Sequence, residues 1–148
     1  MAMLQLSILD KMHTATFDTI SASLHQEYPS KLRSIYVRFP KQLAETFGLY
    51  PNRLYRVKKY PYGLPDAGKA YYEAYSATST QIGFERSKSD PCLFIRIILD
   101  KDIRTYCWIH VDDTFVASTH KEELERFQTQ MSSYYPITAM RQLIWAYP

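Results

Sequence analysis

The sequence predicts an α+β fold, an antiparallel sheet with helices on one face. Three observations predict it. Short runs rich in β-branched and aromatic residues are bounded by Pro, Gly, Asn and Asp, as strands are. Two longer segments carry apolar residues at helical spacing: Tyr71, Ala74, Tyr75, Thr78 and Ile82 in one, Leu124, Phe127, Met131 and Tyr134 in the other. The order of these segments is strand, loop, strand, helix, strand, hairpin, helix, with room for a final strand, which is the arrangement of an α+β domain.

Taken in order, residues 12–18 are short, β-prone and end in Phe17-Asp18, so a strand with Asp18 at its exit is expected. Residues 26–34 are polar, contain Pro29 and read as a loop. Ile35 to Pro40 reads as a short strand stopped by proline, and residues 40–52 are mixed, punctuated by Gly48 and Pro51. Arg53 to Lys59 is a basic segment that runs into the Tyr60-Pro-Tyr-Gly-Leu-Pro65 turn. A helix begins near Asp66 or Ala67 and ends at Gly83. Pro91 to Leu99 reads as a largely buried strand, and Asp100 to Asp102 as a turn. Residues 103–111 and 114–118 then form a hairpin with Asp112-Asp113 at its tip. Thr119 and Glu122 fit a capping box opening the second helix, whose apolar stripe is core. The tail, residues 136–148, begins β-like, and Trp145 to Pro148 has no clear destination.

The bulk properties narrow the function classes. With 148 residues the chain can form one domain with a real core. Thirteen tyrosines suit a surface that holds something flat and partly wet. A net charge of +3 permits a polyanionic partner without demanding one. Cys92 and Cys107 lack metal-motif spacing and lie in apolar segments, so free buried thiols are expected. The N-terminus has neither the basic start nor the apolar run of a signal peptide. The longest apolar run, Cys92 to Leu99, is too short to span a bilayer. No membrane partner and an intracellular location, cytoplasmic or nuclear, are expected. The oligomeric state is not legible.

The chemistry concentrates at Asp112-Asp113. Asp is a common turn residue, and a polar turn is one reading of the pair. The other is a metal site. Adjacent carboxylates repel one another unless a cation neutralises them, and hard oxygen ligands suit Mg²⁺ or Mn²⁺. Such ions serve phosphoryl and nucleotidyl transfer.

Five segments in order resemble the reverse transcriptase of copia-type (Pseudoviridae-like) LTR retrotransposons. Phe17-Asp-Thr-Ile-Ser-Ala-Ser-Leu24 is similar to that family's "L-D-V-K-x-A-F-L", and Ile35 to Pro40 to "V-Y-M-x-Q-P". Leu54 to Glu73 resembles the region around "L-Y-G-L-K-Q-A-P-R-A-W-Y". Gly83-Phe-Glu-Arg-Ser-Lys-Ser-Asp-Pro-Cys-Leu-Phe94 is similar to "G-F-x-x-S-x-x-D-P-C-L-F", and His110-Val-Asp-Asp113 to "Y-V-D-D". The likeness is strongest over residues 14–135, and residues 136–148 match poorly.

This resemblance implies one palm-like domain over residues 1–148, with the ferredoxin-like sheet of polymerase palms, from the polyprotein of a transposable element. The implied activity is RNA-directed DNA polymerase. Asp18, Asp112 and Asp113 would be its catalytic and metal-holding residues, with two Mg²⁺ or Mn²⁺ ions for nucleotidyl transfer. The implied partners are an RNA or DNA template-primer and a deoxynucleoside triphosphate. Arg53, Arg56, Lys58, Lys59 and Lys69 would meet phosphates.

Three departures fall at positions near the substrate in the family. Ser23 replaces an aromatic that blocks a ribose 2′-hydroxyl, Asp66 replaces a Gln, and His110 replaces the Tyr or Phe before Val-Asp-Asp. Tyr71 also stands where the family has Trp. The fingers, thumb and RNase H regions that flank a palm have no counterpart in these motifs. A fragment or decayed copy, inactive alone, is therefore expected. The alternative is a non-catalytic nucleic-acid-binding relic or module with a palm-like or RNA-recognition-like sheet.

Overall fold

The computed structural model describes residues 11–29, 34–138 and 141–142. Six strands form one antiparallel sheet in the order β4-β5-β6-β7-β1-β8. They are β1 (His13–Asp18), β4 (Glu85–Arg86), β5 (Leu93–Ile98), β6 (Ile103–His110), β7 (Asp113–Ser118) and β8 (Arg141–Gln142). Strands β2 (Tyr36–Arg38) and β3 (Leu54–Arg56) pair as a separate ribbon, joined through the short helix α1 (Lys41–Thr46). The longer helices are α2 (Ala67–Gln81) and α3 (Glu122–Ser132).

Both longer helices cover the same face of the sheet. Register places Phe17 opposite Thr114, Val116 opposite Cys107, and Cys107 opposite Phe94, so these side chains share one side. Onto that side α2 lays Tyr75, whose hydroxyl meets Thr114 at 3.1 Å. Helix α3 lays Phe127 there, 5.4 Å from the Phe17 ring. The core of Phe17, Tyr71, Tyr75, Phe94, Leu124 and Phe127 lies between these layers. The alternate residues of the same strands face away from the helices. The α+β expectation therefore holds, with helices on one face only.

Several local expectations are corrected. The hairpin turn is Val111-Asp112, because His110 pairs with Asp113 and Asp113 already belongs to β7. Thr119 does not cap α3. Its hydroxyl accepts the Arg104 N–H at 3.1 Å, its amide extends the ladder to Arg104, and the N-cap position falls on Lys121. Glu122, Glu123 and Glu125 suit the positive end of the helix dipole there. Tyr134 is exposed and Tyr135 is buried in its place, because α3 ends at Ser132 and helical spacing no longer governs. Strand β5 is buried on one side only: Phe94 and Arg96 point inward while Ile97 is exposed. Cys107 is buried, but Cys92 is only half-buried, and both are free thiols. Helix α1 and strand β3 were not legible as elements in the sequence. Trp145 to Pro148 lie outside the described residues. Among the described residues no helix is long and apolar enough to cross a membrane.

Candidate active site on the open face of the sheet

Asp18 ends β1 and Asp113 begins β7, and the two are direct cross-strand partners. The backbone of Asp18 points away from β7. Its amide donates to Thr138 Oγ1 at 3.0 Å, and its carbonyl accepts the Thr138 N–H at 2.9 Å. Asp18 and Asp113 therefore form a non-hydrogen-bonded pair, the kind whose side chains approach closest, with Cβ atoms about 4.5–5.5 Å apart. His110 pairs with Asp113 from the other side, so one row across β1, β7 and β6 reads Asp18, Asp113, His110. The next row reads Thr16, Phe115, Trp108. The rings of Trp108 and His110 stack with centroids 5.5 Å apart and planes 6° from parallel. All these residues lie on the face that the helices leave open.

A cleft of about 290 Å³ opens at this end of the sheet, lined by Thr16, Phe17, Asp18, Asp113, Thr138 and Arg141. Asp112 is outside that lining. It sits half-buried in the turn, and its carbonyl accepts the Thr19 N–H at 3.0 Å. Of the two turn acids, Asp113 is therefore the cross-strand neighbour of Asp18. Parity of the strand puts Asp113, not Asp112, in the row beside it. No carboxylate of the three makes an ion pair or hydrogen bond among the described residues, and no three His, Cys, Asp or Glu side chains there converge as a metal cage. Two like charges directly opposite one another destabilise a sheet. An uncompensated Asp18–Asp113 pair is therefore suited, in donor type and placement, to a hard divalent cation.

The turn is held in an unusual conformation. Val111 has a φ of 58°, in the left-handed region that a β-branched residue seldom enters. Burial does not explain it, since Val111 is 66% exposed. What holds the turn is beneath it. Tyr71 on α2 donates its hydroxyl to Thr19 Oγ1 at 2.8 Å, and Thr19 in turn binds the Asp112 carbonyl. Burial above all pushes the Tyr71 hydroxyl up, with smaller contributions from the nearby Tyr135 and Asp112, against the Thr19 hydrogen bond that lowers it. Thr19, Tyr71 and Thr138 were not singled out in the sequence as site residues. Their signal is tertiary: each acts through a partner 50 or more residues away.

The remaining candidates are placed as follows. Ser23 is buried in the 3₁₀ turn Ala22–His25, with its hydroxyl unpartnered among the described residues, and it does not line the acid cleft. Asp66 is exposed just before α2, where an acid suits the helix dipole. Arg53, Arg56, Lys58, Lys59 and Lys69 are all exposed. They do not join the acid cleft. Arg56 and Lys58 instead line a second cleft of about 220 Å³ with Glu27, Tyr28 and Val57. The Arg53 guanidinium lies 5.7 Å from the Tyr50 ring centre, and Lys69 pairs with Glu73 at 3.9 Å.

The site thus consists of an antiparallel sheet backed by helices, with acids at the ends of two neighbouring strands. A family model described as reverse transcriptase (RNA-dependent DNA polymerase) matches residues 2–144, and the chain belongs to that family. No match is found among curated proteins. Reverse transcriptases use divalent metals and act on nucleic acid and deoxynucleoside triphosphates.

Proposed function

We propose that this chain is the palm of a copia-type reverse transcriptase and that the Asp18–Asp113 row, with Asp112 in the adjoining turn, is its site for nucleotidyl transfer. The carrying observation is the direct pairing of Asp18 with Asp113 on the open face, uncompensated by any described cation in contact. Collinear motifs from residue 14 to residue 135 support the copia-type assignment. A pair of divalent ions, when bound, supplies charge neutralisation and a polarised nucleophile for in-line displacement at phosphorus. The residues of the chain do the rest. Asp18 and Asp113 present their carboxylates from adjacent backbone positions that strand register fixes. Thr138 holds the Asp18 backbone on its outer side, and Thr19 holds the turn that carries Asp112. The parallel Trp108–His110 rings give a flat surface beside the acids on which a base or ribose can rest.

The exposed basic ribbon of Arg53, Arg56, Lys58 and Lys59 is proposed as a second, separate contact with nucleic-acid phosphates. By itself the 148-residue chain is proposed to carry out little templated synthesis. Placement of triphosphate and primer is worth many powers of ten in rate, and the described residues lining the acid cleft include a single cationic side chain. The test is primer extension on poly(rA) with Mg²⁺ or Mn²⁺, alongside metal binding followed by Mn²⁺ relaxation. Mn²⁺ binding that disappears in Asp18→Asn and Asp113→Asn supports the site, and unchanged binding in both rejects it. Extension well above an Asp113→Ala blank rejects the proposed inactivity alone.

A further inference from the structure

The C-terminal end of the described residues returns to the site. Strand β8 pairs with the outer edge of β1, with Thr16 opposite Arg141. Cross-strand partners share a face, so Arg141 projects on the side of Thr16, which is also the side of Asp18. It lines the same cleft as the two carboxylates, and it is the only cation among the described lining residues. Arg141 is one row from Asp18, a diagonal separation of about 7–8 Å that a long side chain can cross. Yet it makes no ion pair or hydrogen bond with any described residue, and it is exposed. Its five donors therefore remain available on the rim of a cleft whose floor is acidic. A ligand that satisfies both ends must offer oxyanions to the guanidinium and metal-bridged oxygens to the carboxylates. A phosphate group does both, and guanidinium matches phosphate with paired hydrogen bonds.

Resting on the proposed nucleotidyl-transfer site, we propose that Arg141 is the phosphate-binding residue of this cleft, gripping a nucleotide phosphate beside the Asp18–Asp113 pair. The cation arrives from the C-terminal side of the acids in sequence. Two carboxylates outweigh one guanidinium, so phosphate binding depends on a divalent cation.

The experiment measures equilibrium binding of dTTP and of a short oligothymidylate to the 148-residue chain with Ca²⁺, and again with EDTA. Ca²⁺ supports binding without turnover. Arg141→Ala should weaken binding of at least one probe by about tenfold or more, the worth of a lost charge-assisted hydrogen bond. Arg141→Lys should recover part of the loss, and Arg141→Glu should bind least. Loss confined to dTTP assigns the phosphate to the incoming nucleotide, and loss confined to the oligonucleotide assigns it to the primer. Mn²⁺ affinity should be unchanged or higher in Arg141→Ala, because a like charge is removed from beside the metal. Wild-type binding that requires Asp18 and Asp113 but is unaffected by Arg141→Ala overturns this inference and leaves the acid site standing. Absence of metal-dependent binding of either probe by the wild type overturns both.

Discussion

The two faces of one sheet do different work with alternate residues of the same strands. On the helix-covered face, Phe17, Phe94, Cys107 and Val116 are buried, and every change there is a packing change. On the open face, Asp18, Asp113 and His110 occupy the neighbouring positions of the same strands and are exposed. At this end of the sheet a residue's parity decides whether it packs under the helices or faces the cleft. The covered face also contains polar groups, and several of them are paired, although Arg96 Nε is buried without a partner among the described residues. Tyr75 meets Cys107 at 3.4 Å as well as Thr114, Thr105 meets Ser118 at 2.9 Å, and Arg96 meets Glu123, Gln130 and the Ile82 carbonyl beside the Phe84 ring. The open-face acids have no such partners among the described residues.

Breaking the covered face has the largest expected effect. Phe94→Ala should cost about 3–5 kcal/mol in urea unfolding, since the ring is fully buried and leaves a cavity. Glu123→Ala should cost a comparable ~3–5 kcal/mol, because it strands the buried Arg96 charge. Replacing Arg96 and Glu123 together by apolar residues should cost much less, and equal loss in the single and double variants would show that the pair is not the relevant unit.

Alkaline pH probes the same face. Burial pushes the Cys107 thiol up to about 12, and it pushes the Tyr75 hydroxyl up as well. The folded state then holds these protons more tightly than the unfolded state does. The stabilisation is complete below the ordinary thiol value of 9.0 and is lost as pH rises from there towards about 12. Urea midpoints should therefore fall over that window, and Cys107→Ala should flatten the fall. An unchanged slope in that variant would assign the effect to the tyrosines alone.

A smaller effect tests the link between the faces. Tyr71→Phe removes the hydroxyl donor to Thr19 and should cost about 1 kcal/mol. It should also weaken Mn²⁺ binding several-fold if the Val111-Asp112 turn depends on that support, whereas a merely structural hydroxyl would leave Mn²⁺ affinity alone.

The smallest stability change is expected on the open face, with the opposite sign. Asp18→Asn or Asp113→Asn should leave the fold unchanged or stabilise it by about 0.2–1 kcal/mol, as like charges across a strand pair are relieved. Metal binding should be lost in the same variants. A destabilised Asp113→Asn would show that the acid pair serves the fold and would erase the contrast between the faces.

Much of this was legible in the sequence because it is local. The β-prone run ending at Asp18, the helical spacing of Tyr71, Tyr75 and Thr78, and the strand-turn-strand around Asp112 depend on period and turn chemistry within a few residues. The family motifs are local strings as well. What was misread depends on which surface covers a segment. Strand β5 reads as largely buried, but the helices occupy only one of its faces, and Thr119 reads as a cap, but Arg104 is its partner.

The sequence by itself determined the class of fold, the family and the acids proposed to carry its chemistry, since these reside in residue identity, spacing and order. Tertiary structure alone decided that Asp113 faces Asp18, that Tyr71 and Thr19 support the turn, that Ser23 is enclosed, and that Arg141 reaches the acid cleft. Each of these joins residues far apart in the chain through strand register, and register is set by the packing of a whole face rather than by any one segment.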